Sequence, residues 1–447
     1  MKMDFEYMRT LLFLSLVVIT QLASAVGRDN DGHGQVLLVP FFTTTNGWDT
    51  YIDVTRKPST VQTVLKIRVL DGETGLLVNS FNAYVGAAEN WRAAFTQVEP
   101  NLSILRITEG SCTVSGDGRF GGAGTDFEIA TDTGMVEVYV VGVSDRAPEE
   151  VLESSCQEFA ERWQPGGAWT RDPVADLYVS AVTADVTGYF SLVNVSLGLS
   201  SALPAIGLLD FMKAIPHTAP GDEHPNLFDA DPIAHLNDGT IVTPDSGEGI
   251  DAVALLLSTH EGIMSNDVVL SAGVAARTDW IISFPLRGYR EYGSFAVDLG
   301  DEVKFCNEKD LGSGGRGSIM ARLETPWSYL GSGLVFGRFL DIDPLPTVSF
   351  SAFLCDAVNV LSFGDNAPIL LEADSALQEN VATGSGYLDF DKESVNLGYY
   401  FRDGISESHK NDGRPVVGYG VTLFENGRLE NGNVLANYLF VRPHLVE

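Results

Sequence analysis

The sequence predicts a mainly β protein of antiparallel β-sandwich architecture, with two packed β domains, one short mid-chain helix and a long irregular loop. Three observations carry that expectation. Val, Thr, Phe and Tyr alternate with polar residues through "DTYIDVTR", "TVLKIRVLDG", "LLVNSFNAYVGA" and "LSILRITEG", each run bounded by Gly, Asn, Asp or Pro. Such period-two alternation, with turn residues about every ten positions, marks strands that turn one face to a core. Residues 148–163 carry apolar side chains at helical spacing instead, and 206–249 is rich in Pro, Gly, Asp and His with little periodicity. A chain of 447 residues exceeds one ordinary core and suggests about two domains.

Residues 1–25 read as a leader. Lys2 and Arg9 precede an apolar run over 11–19 and the small-residue pattern Ala23-Ser24-Ala25, which a signal peptidase accepts. Cleavage after Ala25 would leave a protein that is secreted, periplasmic or at the cell surface. No later segment offers roughly 18 apolar residues without charge, so no transmembrane helix is expected in the mature chain.

Residues 26–205 form the expected N-terminal sandwich. "QVLLVPFFTTTNGWDT" at 35–50 reads as strand, turn, strand. Pro40 marks an edge or a bulge, since proline cannot donate to a central ladder, and Asn46-Gly47 supplies a positive-φ turn. "GMVEVYVVGVS" is nearly continuous in apolar residues, which suggests a central strand covered on both faces. In the helix, Pro148, Glu149 and Glu150 suit the first turn and Gly166-Gly167 stop it. Cys156, Phe159, Ala160 and Trp163 share its inward face.

Beyond the 206–249 loop, 250–447 reads as a second β-rich domain. Its clearest signal is "PVVGYGVTLFENGRLENGNVLANYLFV", two apolar runs joined across Asn426-Gly427 and Asn431-Gly432 as a hairpin.

The formal charge is −32. A surface that acidic repels nucleic acid and anionic lipid, and it favours solubility. Cys112, Cys156, Cys306 and Cys355 in an exported chain imply two disulfides. Three connectivities are possible, and sequence order favours Cys112–Cys156 with Cys306–Cys355. No CxxC spacing supports zinc.

Catalytic motifs are sparse: the sequence has no G-x-S-x-G elbow, Walker loop or dinucleotide fingerprint. The densest set of candidate ligands is "HTAPGDEHPNLFDADPIAHLND", where His217, Asp222, His224, Asp229, Asp231 and His235 could bind a metal ion or serve acid–base work. Their spacing matches no compact metal motif, and the plainer alternative is a solvated acidic loop. "RDNDGHG" at 28–34 offers Asp29 and Asp31 before a glycine, a partial calcium loop without its closing carboxylate. Six tryptophans could include a sugar-stacking platform, though core packing accounts for most tryptophans in sandwiches.

"GQVLLVPFFTTTNGWDT", "NSFNAYVGAAENWRAAF", "SCTV", "GMVEVYVVG" and "LFENGRLENGNVLANYLF" together resemble a family of uncharacterised secreted proteins of Gram-negative bacteria. The resemblance runs in patches and is weakest across 216–248 and 300–345. It departs at Val39, where tyrosine is common, and at Thr55-Arg56-Lys57. It implies an exported β-rich fold and no particular activity. The expectation is therefore a non-catalytic exported protein acting by interaction or assembly, with itself or with an envelope or matrix component, and without a cofactor. A secreted hydrolase directed at polysaccharide, with a site near the 217–235 loop, and a calcium-stabilised adhesin-like module are the alternatives.

Overall fold

The structure is a computed structural model. It describes residues 25–56, 62–86, 89–144, 153–173, 177–178, 186–258, 263–270, 276–289, 319–326, 347–354, 356–363, 369–370, 375–377, 384–389, 415–429 and 434–446. The leader up to Ser24, Cys306, Cys355 and positions 148–152 of the expected helix lie outside those residues. No helix among the described residues is long and apolar enough to cross a membrane.

The fold is mainly β, built from four sheets in which nearly every pairing is antiparallel. Sheet A runs Phe120–Gly121, Cys112–Ser115, Leu77–Val85, Gln62–Asp71, Thr133–Ser144, Val36–Thr43, Ile206–Leu209, Val26–Asp29, Ala234–His235, Ile241–Val242. Sheet B runs Asp126–Ile129, Leu102–Ile107, Asn90–Glu99, Asp49–Arg56, Val186–Asn194, Leu199–Pro204. The two face each other across one core. Leu65, Ile67 and Val138 of sheet A meet Ile52, Trp91 and Leu105 of sheet B, and Phe42 stacks on Phe95 at 4.2 Å.

The alternation rule accounts for this sandwich. Along Asp49–Arg56, Thr50, Ile52 and Val54 are buried while Tyr51 and Thr55 are exposed. Thr133–Ser144 is central, as its composition predicts, and is buried on both faces. Pro40 sits in a central strand, at a bulge. Gly134 pairs with Phe42 and Val136 with Val39, so Pro40 and Phe41 together oppose Met135. The neighbour on the other side pairs only up to Leu38, so the missing N–H of Pro40 breaks no ladder there.

Sheets C and D form a second pair. Sheet C is Thr347–Leu354, Ile319–Pro326, Gly384–Asp389, Ile263–Val268 and Leu445–Val446; sheet D is Ser375–Leu377, Val358–Phe363, Ala276–Ser283, Val417–Leu429 and Val434–Pro443. Trp280, Ile282 and Phe363 of sheet D pack with Met264, Leu354 and Leu388 of sheet C. In the hairpin Val417–Leu429/Val434–Pro443 the register shifts between Glu425 and Arg428. Asn426-Gly427 is therefore a bulge inside the ladder, and only the second Asn-Gly pair falls between the strands.

The two pairs are clipped together at the first turn. Asn46 and Gly47 take φ of 53° and 77°, as the Asn-Gly signal predicts, and turn the chain from Thr43 towards Asp49. Thr45 Oγ1 donates to the Leu370 carbonyl at 2.8 Å, and the Trp48 indole N–H donates to the Ile369 carbonyl at 2.9 Å. On the far side Asp279 of sheet D accepts the Ile369 amide. One dipeptide thus serves both halves.

Two α-helices occur among the described residues, one more than the sequence reading singled out. Helix α1, Glu153–Trp163, is bonded to sheet A through Cys112–Cys156. Helix α2, Gly249–Leu257, is buried at all nine positions, as an all-round apolar segment must be. A Cβ on Gly249 would lie 1.9 Å from the Ala230 carbonyl oxygen, so only glycine allows that approach. The stretch expected to be irregular, 206–249, contributes three short strands to sheet A, and its remainder lies over the second face of that sheet.

Candidate functional site

The histidine- and aspartate-rich segment does not converge on a point. His217 is buried against sheet A. Its Nδ1–H donates to the Pro173 carbonyl at 2.8 Å. The Trp163 indole donates to Tyr84 Oη at 2.9 Å, which directs the tyrosine hydroxyl proton to His217 Nε2 at 3.2 Å. Those bonds fix the neutral tautomer, and burial pushes the His217 pKa down to about 4. Both ring nitrogens are committed to the fold.

The other candidates serve the backbone. Asp222 accepts the Ala219 amide at 3.0 Å. His224 and Asp229 are brought together at 2.8 Å, but Asp229 also closes a capping box with Asn226 around the short helix Leu227–Asp229. His235 sits exposed on a strand paired with Gly27 and Ile241. The Asp231 amide donates to the Phe211 carbonyl at 2.7 Å. Asp29 Oδ1 accepts the amides of Asp31 and His33, at 2.8 and 3.0 Å, an Asx turn using the oxygen a calcium ion would want. Among the described residues no group of three or more His, Cys, Asp or Glu is placed to hold a metal ion. Trp48, Trp91, Trp169 and Trp280 are core residues, each at most 2 % exposed.

A second polar group escaped the sequence reading. Lys66 and Arg68 lie on the covered face of sheet A, 0 % and 3 % exposed. Arg68 pairs with Glu137, which also accepts the hydroxyls of Tyr139 and Tyr289. Burial pulls the Arg68 pKa down, and the Glu137 carboxylate together with Tyr289 and Tyr139 more than reverses this. Lys66 donates to the Ala219 carbonyl and to Thr218 Oγ1. Burial lowers its pKa to about 7, against the opposing charge of Asp222. In period-two logic these positions face water; here the 211–231 segment and Tyr289 replace the water. The group is a buried network that holds a cover in place, although Arg68 Nε finds no partner in it.

The recess with room for a ligand lies elsewhere. A cavity of about 710 Å³ opens between the N-terminal and C-terminal sheet pairs. Its walls are mostly apolar: Phe190, Leu203 and Ile206 from one side, Leu255 and Leu256 from α2, Met264, Val417 and Tyr419 from the other. Cavities of roughly 300–1,000 Å³ with few polar groups are the usual form of small-molecule sites.

Several of its polar groups are tied to the fold, while the buried Tyr419 hydroxyl has no partner among the described residues. Ser258 Oγ donates to the Ala254 carbonyl at 2.7 Å. His444 Nε2–H donates to the Ile281 carbonyl at 2.9 Å, and its Nδ1 accepts from Asn266 Nδ2 at 2.9 Å. Burial pushes the His444 pKa down to about 4, so it is neutral at physiological pH. Asp238 Oδ1 accepts the Thr240 amide at 2.8 Å.

Arg28, the cationic side chain on the cavity wall, is tied only in part. Its Nε donates to Asn30 Oδ1 at 2.8 Å and its Nη1 to the Leu256 carbonyl at 3.2 Å, while Nη2 bonds to no described residue. No carboxylate among the described residues pairs with it, and burial lowers its pKa, though a guanidinium stays charged. Residues 28, 190, 256 and 444 meet only through the fold, so no local pattern could announce them.

Comparisons with protein families, with curated proteins and with solved structures find no match.

Proposed function

We propose that this chain is an exported, non-catalytic binding protein that takes a small, largely apolar ligand into the cavity between its two sheet pairs. The observation that carries this is the state of the cavity's reactive side chains. A nucleophile needs a base within hydrogen-bond reach, yet Ser258 and His444 each spend their protons on backbone carbonyls. Apolar walls with few polar groups free suit retention of a ligand. Export rests on the leader pattern of residues 1–25, on the resemblance drawn from the sequence, and on a disulfide of the kind that persists outside the cytoplasm. The hydrolase reading through 217–235 gains no support from a loop whose buried histidine has both ring nitrogens engaged.

The test is titration of the purified chain with N-phenylnaphthylamine, a neutral apolar fluorophore. Saturable binding at one site is expected, and Leu256→Trp, which fills the cavity from α2, should remove it with far-ultraviolet circular dichroism unchanged. Absence of saturable binding, or full binding by a folded Leu256→Trp variant, sinks the proposal.

A further inference from the structure

We infer that the ligand is an anionic amphiphile, an apolar or aromatic body ending in one carboxylate-like group that seats on Arg28. This rests on the cavity reading above and adds the chemistry of the occupant.

The argument starts from charge. Acidic residues outnumber Lys and Arg by 60 to 28, so a guanidinium here has ample choice of carboxylates. Arg106 and Arg442 show the ordinary outcome, pairing with Asp126 and Asp267 at 2.7 Å each. Arg68, buried deeper than any of these, pairs with Glu137. Arg28 pairs with none among the described residues, although Asp29 and Asp31 are near in sequence; Asp29 turns instead to the amides of Asp31 and His33.

What Arg28 does have is orientation. Asn30 holds Nε and the last turn of α2 holds Nη1 through the Leu256 carbonyl, so the fork is fixed on the cavity wall with Nη2 unclaimed. A guanidinium pre-set in this way matches a carboxylate or sulfonate, and its partly buried position strengthens the contact. Asp238 lines the same cavity, and its carboxylate accepts the Thr240 amide. The remaining walls supply the apolar body's site.

The long-range field of a chain at −32 works against an anion's approach. Salt screens that field, whereas it screens a partly buried contact much less. A preference for anions seated on Arg28 therefore survives high ionic strength.

Two probes that share a body separate the outcomes: anilinonaphthalene sulfonate is N-phenylnaphthylamine with a sulfonate added. With the full chain, the sulfonate is expected to bind roughly tenfold or more tightly than the neutral probe, at low and at high salt. Arg28→Gln should erase that preference. Arg28→Lys, which keeps the charge without the fork, should retain part of it. Equal affinity of the two probes in the wild-type chain, tighter binding of a cationic analogue, or an undiminished sulfonate preference in Arg28→Gln overturns the inference and leaves the cavity reading standing. If neither probe binds, the cavity reading itself fails and this inference falls with it. Should Arg28→Gln not fold, the wild-type probe ratio and its salt dependence still decide the matter.

Discussion

Asp279→Asn probes the joint between the two sheet pairs. Asp279 is 2 % exposed. Its Oδ1 accepts the Ser362 hydroxyl at 2.7 Å, and its Oδ2 accepts the amides of Ile369 at 2.6 Å and Leu370 at 3.4 Å. Asparagine keeps one acceptor oxygen. With that oxygen on the Ile369 N–H, its amide nitrogen can donate to the Ser362 hydroxyl oxygen, so what the variant loses is the carboxylate's charge. A hydrogen bond to a charged group contributes about 1.5–3 kcal/mol and one to a neutral group about 0.5–1.5 kcal/mol, so where the carboxylate is ionised the variant loses about 1–2 kcal/mol. The pH dependence is the sharper signature. Burial raises the Asp279 pKa from 3.8 to about 6, outweighing the hydrogen bonds that pull it down. Between those values the folded protein holds a proton that the unfolded chain releases. The contribution of this group is therefore full at acid pH and is lost as pH rises through about 6. At about 1.36 kcal/mol per unit, the swing is at most about 3 kcal/mol. Urea denaturation followed by tryptophan fluorescence, repeated from about pH 4 to about pH 7, measures it. The stability gap between wild type and variant should shrink as pH rises across the window that linkage defines. A gap that is flat, or that widens with pH, would mean a carboxylate ionised throughout and would refute the reasoning.

Two further substitutions probe sheet A. Replacing Cys112 and Cys156 together by Ser opens a loop of sequence separation 44 and should lower the unfolding free energy by about 4 kcal/mol; an unchanged denaturant midpoint counts against a bond that constrains the unfolded chain. Lys66→Met should be as stable as wild type, or more so, near pH 7, because a fully buried ammonium exacts desolvation. The folded-state pKa of Lys66 lies at about 7, below the ordinary 10.5, so wild-type stability gains a rising component across that interval which the methionine variant lacks. Parallel pH profiles for the two proteins would remove Lys66 from the account.

The strands were legible because period two is a local property: each run names its own inward face, and Asn46-Gly47 names its own turn. Cover is not local. "TVLKIRVLDG" places Lys66 and Arg68 on the polar face of an alternating strand, which by pattern faces water. A segment more than 140 residues later in the chain closes over that face, with Ala219 taking the Lys66 ammonium. The same limit applies to Pro40, where the bulge is legible but the strand's central place depends on partners at 133–144 and 206–209. The histidines of the 217–235 segment stood out by composition, and composition does not record that Pro173 and Tyr84 already occupy His217. Arg28 stood inside a calcium-like string, and its neighbours at Leu256 and in the C-terminal sheets come from other ends of the chain.

The position of the Cys112–Cys156 link has a consequence for solubility. The outermost strand of sheet A at that end, Phe120–Gly121, is two residues long, and it shields only Thr113 and Val114 of the strand behind it. Helix α1 packs along both strands, held there by the bond. Without that tether the helix could swing away while the rest of the sheet stayed paired, and the apolar face that Tyr84, Cys112 and Val114 turn to it would be bared to other chains. A reducing environment therefore threatens this protein with clumping before it threatens it with unravelling.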